Sequence, residues 1–262
     1  MRVGIAGFGN VGRDVAKRLA AGAIPGVTVT AVSARDLGKA RAATSLPVVS
    51  IAELPAHCDV IVEAATADAL PEIALAALGA GTLLTIVSAA GLLQFPEIAE
   101  YAHAHRGRVR ICSGALPGLD ILRSAREGGI RSVRLKSRLK PGSMAHEPYV
   151  LERGLDLTQQ LAAPFKIFSG TAAEAGRAFP RHFNVAIALS FAGIGLDRTE
   201  VEVWVEDGLP GAIHRVMVEA EDIALDMESR NKPSENPRTS RIVAPSIIAT
   251  LRALDAPLVV GN

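Results

Sequence analysis

The 262-residue chain has two cysteines, Cys58 and Cys112, too few for a disulfide scaffold or a thiolate zinc cage. Aromatic residues make up only 4%, which argues against the stacking platforms that hold single-stranded nucleic acid. Neither sign of charge is in excess: 28 Lys and Arg stand against 27 Asp and Glu, a net charge of +1. That balance gives no general attraction to nucleic acid or anionic lipid, so a charged ligand must be held by local groups. No apolar run reaches the roughly 20 residues a membrane helix needs; the longest lie near 83–93 and 185–196. Repeats, low-complexity tracts, a Ser-His-Asp constellation, a metal-ligand cluster and a P-loop lysine motif are all missing, which leaves hydrolase, metalloenzyme and kinase readings unsupported. The opening MRVGIAGFGN enters an apolar run with no basic region, signal core or cleavage site, so the expectation is a cytoplasmic protein. What the chain does have is apolar material, 49% against 21% charged, enough for a buried core.

The first part alternates short apolar runs with helical periodicity. Strands are expected at Arg2–Ala6, Val27–Ser33, Val60–Glu63, Leu83–Val87 and Val109–Cys112. Helices are expected near Val11–Ala21, from Pro71 through Leu78, and from Pro96 to about His103, with Pro in first turns and Gly79–Gly81 as a stop. Continuous apolar strands between helices predict a parallel sheet covered on both faces. After about Ser113 the period changes. Val133, Leu135 and Leu139 alternate with Arg134, Lys136, Arg138 and Lys140; Val201, Val203 and Val205 alternate with Glu200, Glu202, Trp204 and Glu206; His214, Val216, Val218 and Ala220 share one parity. Period two describes half-buried strands with one solvated face. Thr171 to Glu174 matches a capping box, predicting a helix over 172–178. The expected architecture is α/β: a Rossmann-like parallel sheet in residues 1–113, completed by a C-terminal helix within 238–262, and a smaller α+β domain over 114–237 with an open mixed or antiparallel sheet.

Gly7-Phe8-Gly9-Asn10-Val11-Gly12 reads G-x-G-x-x-G between a strand and a helix. The first glycine permits the tight turn, the second lets backbone approach a pyrophosphate, and the third lets helix and strand pack closely. Gly7, Gly9, Asn10, Val11 and Gly12 are therefore candidate contacts for a dinucleotide on the positive helix end. NAD-preferring sites usually place an acid at the end of the second strand. Here Ala34 takes that place between Ser33 and Arg35, and a hydroxyl and a guanidinium suit a 2′-phosphate. The cofactor expected is NADP, or NADP and NAD both; a solvated Arg35 and an Asp36 that caps the next helix are the structural alternative. Among six histidines, His103 and His105 lie at a polar helix end, His57 precedes a strand, and His146 lies in an irregular segment. His214 alone has the parity of an apolar strand face, where a lone histidine is more often a satisfied core residue than a catalyst.

Four segments follow the glycine turn in order: GALPGLD at Gly114–Asp120, FPRHFNVA at Phe179–Ala186, AIH at Ala212–His214 and PSENPRTS at Pro233–Ser240. Together they resemble the L-aspartate dehydrogenase family, over nearly the whole chain. The resemblance implies NAD(P)-dependent oxidation of L-aspartate to iminosuccinate, which hydrolyses to oxaloacetate and ammonia or feeds quinolinate and NAD synthesis. It also implies a homodimer of two-domain subunits. It places the acid/base histidine at His214 and further cofactor contacts at Ala115 and Asn184. Lys140, Arg181, Thr239 and Ser240 are candidates for the substrate carboxylates, with a solvated sheet face as the alternative for Lys140. The chain departs from the family at Ala212, where asparagine is frequent, at His182, where asparagine is common, and at Gly142 within Lys140-Pro141-Gly142, where relatives carry a second proline. A related oxidoreductase acting on another amino or hydroxy acid, and a non-catalytic NADP(H) sensor, are the competing readings.

Overall fold

A computed structural model describes residues 1–180, 182–232 and 240–261. The chain forms two compact units, one of residues 1–112 and 243–257, the other of 113–242 and 258 onward. The last residues thus group with the second unit, where the sequence pointed to the first.

The first unit is a five-stranded parallel sheet of order β2-β1-β3-β4-β5, with β1 (Arg2–Ala6), β2 (Thr28–Ser33), β3 (Val60–Glu63), β4 (Leu83–Ile86) and β5 (Arg108–Ile111). The central strands are apolar throughout because helices cover both faces. On one face α1 (Asn10–Ala20) packs with α10 (Val243–Asp255): Val15 and Leu19 meet Ile247 and Leu251 over Val3, Ile5 and Val62. The other face carries α3 (Leu70–Gly79) and α4 (Ile98–Ala104), with Ile73, Ala77 and Leu78 buried against the sheet. A short α2 (Leu37–Ala43) is capped by Asp36, as the structural alternative for this segment had it, with the Asp36 carboxylate accepting from the Lys39 amide at 2.9 Å.

The second unit holds a mixed sheet of order β10-β9-β6-β8-β7. Its strands are β6 (Ile130–Leu139), β7 (Phe165–Thr171), β8 (Thr199–Val205), β9 (Ile213–Ala220) and β10 (Ala224–Arg230); only the β6–β8 pair is parallel. The inward parity of β6, β8 and β9 lies under α5 (Leu119–Gly128), α8 (Ala172–Ala178) and α9 (Asn184–Ala192). Short helices α6 (Pro141–Met144) and α7 (Pro148–Glu152) follow β6. The capping box predicted at Thr171 is formed, with Glu174 donor and acceptor groups both engaged. The outer parity is a field of ion pairs, with Arg134–Glu200 at 2.8 Å and Arg215–Asp226 at 2.5 Å exposed and Arg138–Glu206 at 3.2 Å half-buried. Arg134, Lys136 and Arg138 are thus the charged side of a half-covered sheet, as their alternation requires.

Candidate active site

In the first unit the glycine turn has the shape its spacing predicts. Gly7 has φ +101°, and a methyl group there would sit 2.5 Å from the backbone of Ala64 and Ala65. A methyl at Gly12 would sit 2.1 Å from the Gly7 carbonyl oxygen, whereas at Gly9, the residue preceding α1, nothing lies within 4 Å. Two glycines are therefore demanded by packing, and the third leaves open space over a helix N-terminus whose first turn contains no acid. That is the cradle a pyrophosphate requires, with backbone amides and the helix dipole as its donors. Asn10 and Val11 open the helix. Arg13, which sequence reasoning passed over, folds back onto this end, with Nε 3.4 Å from the Gly9 carbonyl and Nη2 3.3 Å from Asn10 Oδ1.

Beside the turn, the Gly7 amide donates to the Ser33 carbonyl at 2.8 Å. The Ser33 side chain is buried, so main chain rather than hydroxyl ties it to the turn. Ala34 is half-buried, and Arg35 is exposed, with its guanidinium 3.2 Å from Thr66 Oγ1 and 3.4 Å from Asp68. The floor of the turn depends on Glu63, a fully buried carboxylate at the end of β3. Its Oε1 accepts from the Ala65 amide at 2.8 Å, and its Oε2 accepts from the Val87 and Ser88 amides at 3.0 and 2.8 Å. Ser88 in turn donates its hydroxyl to the Ala65 carbonyl at 2.8 Å. Burial pushes the Glu63 carboxyl up, while those amide donors pull the other way. An acid closing an apolar strand, in DVIVEAA, was the available signal.

In the second unit His214 lies on the helix-covered face of β9, opposite the ion-paired face. Its ring is buried, and Nδ1 is 2.9 Å from Ser137 Oγ on the neighbouring β6. Burial pulls its pKa down to about 4, so the imidazole is neutral near pH 7. Ser137 is fully buried, and a hydroxyl on the apolar parity of β6 was the signal that could have revealed it. On the other side β10 places Ser229 in register with His214, and Ser229 donates its hydroxyl to the Ala115 carbonyl at 2.8 Å. Ala115 and His214 are thereby drawn to one end of this sheet.

Other candidates gather at that end. Ser240 donates to Asn231 Oδ1 at 2.5 Å, and the Asn231 side-chain amide donates to the Ala212 carbonyl at 3.0 Å, two residues before His214. Lys140 is exposed and lies one residue beyond β6, preceding α6, rather than inside the strand. Asn184 is the first residue of α9. His182 is not a surface residue: it is largely buried against Glu147. Arg181 and Thr239 lie outside the described residues, as does most of PSENPRTS. An open depression of about 640 Å³ beside Pro141, Ala145, His146 and Asp207 is lined by none of the predicted site residues. Both cysteine thiols are buried and pushed up to about 11, which withholds the thiolate a nucleophile requires. No group of three or more metal-ligating side chains occurs among the described residues, and no helix among them is long and apolar enough to cross a membrane.

Two family models match the chain: the NAD binding domain of homoserine dehydrogenase over residues 7–111 and the aspartate dehydrogenase C-terminal domain over 120–254. L-aspartate dehydrogenase 3 of Bordetella bronchiseptica is 41% identical over 265 residues, covering 99% of this chain and 97% of its own. L-aspartate dehydrogenase of Bradyrhizobium diazoefficiens is 38% identical, covering 100% and 94%. The crystal structure of aspartate dehydrogenase from Thermotoga maritima superposes over 100% of this chain and 99% of its own with a TM-score of 0.80; at 23% identity it shows a shared fold. The chain belongs to the L-aspartate dehydrogenase family.

Proposed function

We propose that this chain oxidises L-aspartate to iminosuccinate with NAD or NADP, and that His214 is the acid/base. The observation that carries the reading is a neutral, buried imidazole fixed by Ser137 at the sheet end to which Ser229 also draws Ala115. With Nδ1–H donated to Ser137 Oγ, the Nε2 lone pair is available to take a proton from the substrate ammonium. A dinucleotide, which the Gly7–Gly12 turn would hold, would supply the hydride acceptor for the oxidation. His214 can then pass its proton on and activate water for hydrolysis of the imine to oxaloacetate and ammonia. Lys140, Arg181, Thr239 and Ser240 are the side chains we assign to the substrate carboxylates. The exposed Arg35 guanidinium supports acceptance of a 2′-phosphate, and thus NADP as well as NAD. We place the protein in the cytoplasm as a homodimer, which light scattering on the purified chain tests.

The decisive assay is reductive amination: oxaloacetate, ammonia and NADPH or NADH, followed at 340 nm. The expected result is turnover that falls about 10²–10⁴-fold in His214→Ala, with NADPH affinity unchanged within about twofold. Full turnover in His214→Ala overturns the assignment of the histidine. Tight NADPH binding without turnover of any amino acid overturns the enzyme reading in favour of a sensor.

A further inference from the structure

His182 and Glu147 form a pair unlike the others in the molecule. Nδ1 of His182 lies 3.2 Å from Glu147 Oε1, with the side chains 9% and 3% exposed. Every other ion pair among the described residues keeps at least 23% of each side chain exposed. Exposed pairs need no special reason, whereas removing a titratable pair from water carries a desolvation penalty that stability alone rarely justifies. Moreover, the His182 ring is poised rather than engaged. Neither ring nitrogen makes a hydrogen bond of acceptable geometry among the described residues, and Nε2 is buried. A buried ring nitrogen left without a partner points to a group that arrives from outside.

The pair is also rigidly placed. The His182 amide donates to the Phe179 carbonyl at 3.0 Å. Phe179 and Phe183 on either side are buried, their rings 5.3 Å apart, and Phe179 packs on Tyr149, two residues beyond Glu147. Glu147 follows β6 by way of α6, and α9 begins two residues after His182. The C-terminal end of α9 is at the other end of the sheet, where a methyl group at Gly193 would meet Val133 near the start of β6. His182, the amino end of α9, Lys140 and His214 therefore belong to the same end of the second unit.

We propose that His182 anchors one carboxylate of the substrate through Nε2–H, with Glu147, whose Oε1 lies 3.2 Å from Nδ1, as the positioning residue. This deepens the reading of an acidic amino acid substrate and rests on it. A carboxylate supplies the acceptor that Nε2 lacks, and it arrives at the positive end of α9, where the helix dipole favours an anion.

The test uses His182→Asn, which keeps a donor, His182→Leu, which does not, and Glu147→Gln. KM and kcat are measured for L-aspartate and for L-2-aminobutyrate, the inhibition constant for succinate, and NADPH affinity by nucleotide fluorescence. The expected result is a rise of about 10- to 100-fold in the aspartate KM and the succinate inhibition constant for His182→Leu. The rise is smaller for His182→Asn and Glu147→Gln, with NADPH affinity within twofold of wild type. If selectivity for aspartate over 2-aminobutyrate falls, the anchored group is the side-chain carboxylate; if both KM values rise together, it is the main-chain carboxylate. Unchanged succinate inhibition in a folded variant, or NADPH affinity falling in step with KM, overturns the anchor. A wild type inert towards aspartate but inhibited by nothing dicarboxylic overturns both ideas, whereas an active wild type with unaffected variants overturns the anchor alone.

Discussion

The imidazole of His214, which we propose as the acid/base, is kept neutral by burial, and that property has a consequence for stability. Its pKa in the folded chain is about 4, against an unfolded value near 6.5. Below pH 6.5 the unfolded chain takes up a proton that the folded chain refuses. Stability contributed by this group is therefore complete above pH 6.5 and is lost as pH falls towards 4, by about 3 kcal/mol at the limit. Chemical denaturation of wild type and His214→Asn at pH 7 and pH 4.5 checks this. The variant should lose less stability on acidification than the wild type; equal losses would place the acid sensitivity elsewhere. The burial of His214 was legible in its strand parity, whereas its assignment as acid/base came from the family resemblance. Ser137 carried the same signal on β6 and was missed because serine is common on both faces of strands. Glu147 and His182 were illegible as a pair, since nothing in linear spacing brings position 147 to 182.

At the level of elements, the ends of β3 and β4 are joined by one carboxylate. Glu63 takes amide protons from both following loops, and the Gly7 turn is seated on the peptide it fixes. Glu63→Gln replaces one acceptor oxygen with a donor facing backbone amides that are themselves donors, so at least one of these bonds is lost. The dinucleotide should then bind about 10-fold more weakly, while kcat at saturating dinucleotide changes little; unchanged affinity by fluorescence titration would show the bracket to be irrelevant to the turn. The parallel sheet itself was readable because its strands are short and separated by helices, and β1, β3 and β4 are largely apolar and buried. The outer strand β10 and helix α5 were not anticipated. Every second residue of β10 is exposed and the others are only half-buried, so it lacks the strong apolar parity that revealed β6, β8 and β9. The α5 segment buries only Leu122 and Ala125, while its Ile121 faces solvent, which blurs the apolar stripe.

For the molecule as a whole, the chain leaves its first unit after Cys112 and returns to it at Val243. Helix α10 supplies Ala244, Ile247, Ile248 and Leu251 to the same core as Val15 and Leu19 of α1. Removal of residues 243–262 should therefore abolish cooperative melting of the nucleotide-binding unit and its NADPH affinity, as read by circular dichroism and fluorescence; a truncated chain that still binds NADPH would show α10 to be dispensable. The same arrangement sets an order of events at the ribosome. The nucleotide-binding half is made first yet cannot close until residues 243–257 have been made, so for the seconds that synthesis of residues 113–242 takes, the flank of its sheet awaiting α10 is bare. During that interval the nascent chain exposes apolar surface that α10 later covers, and the interval ends only when α10 emerges.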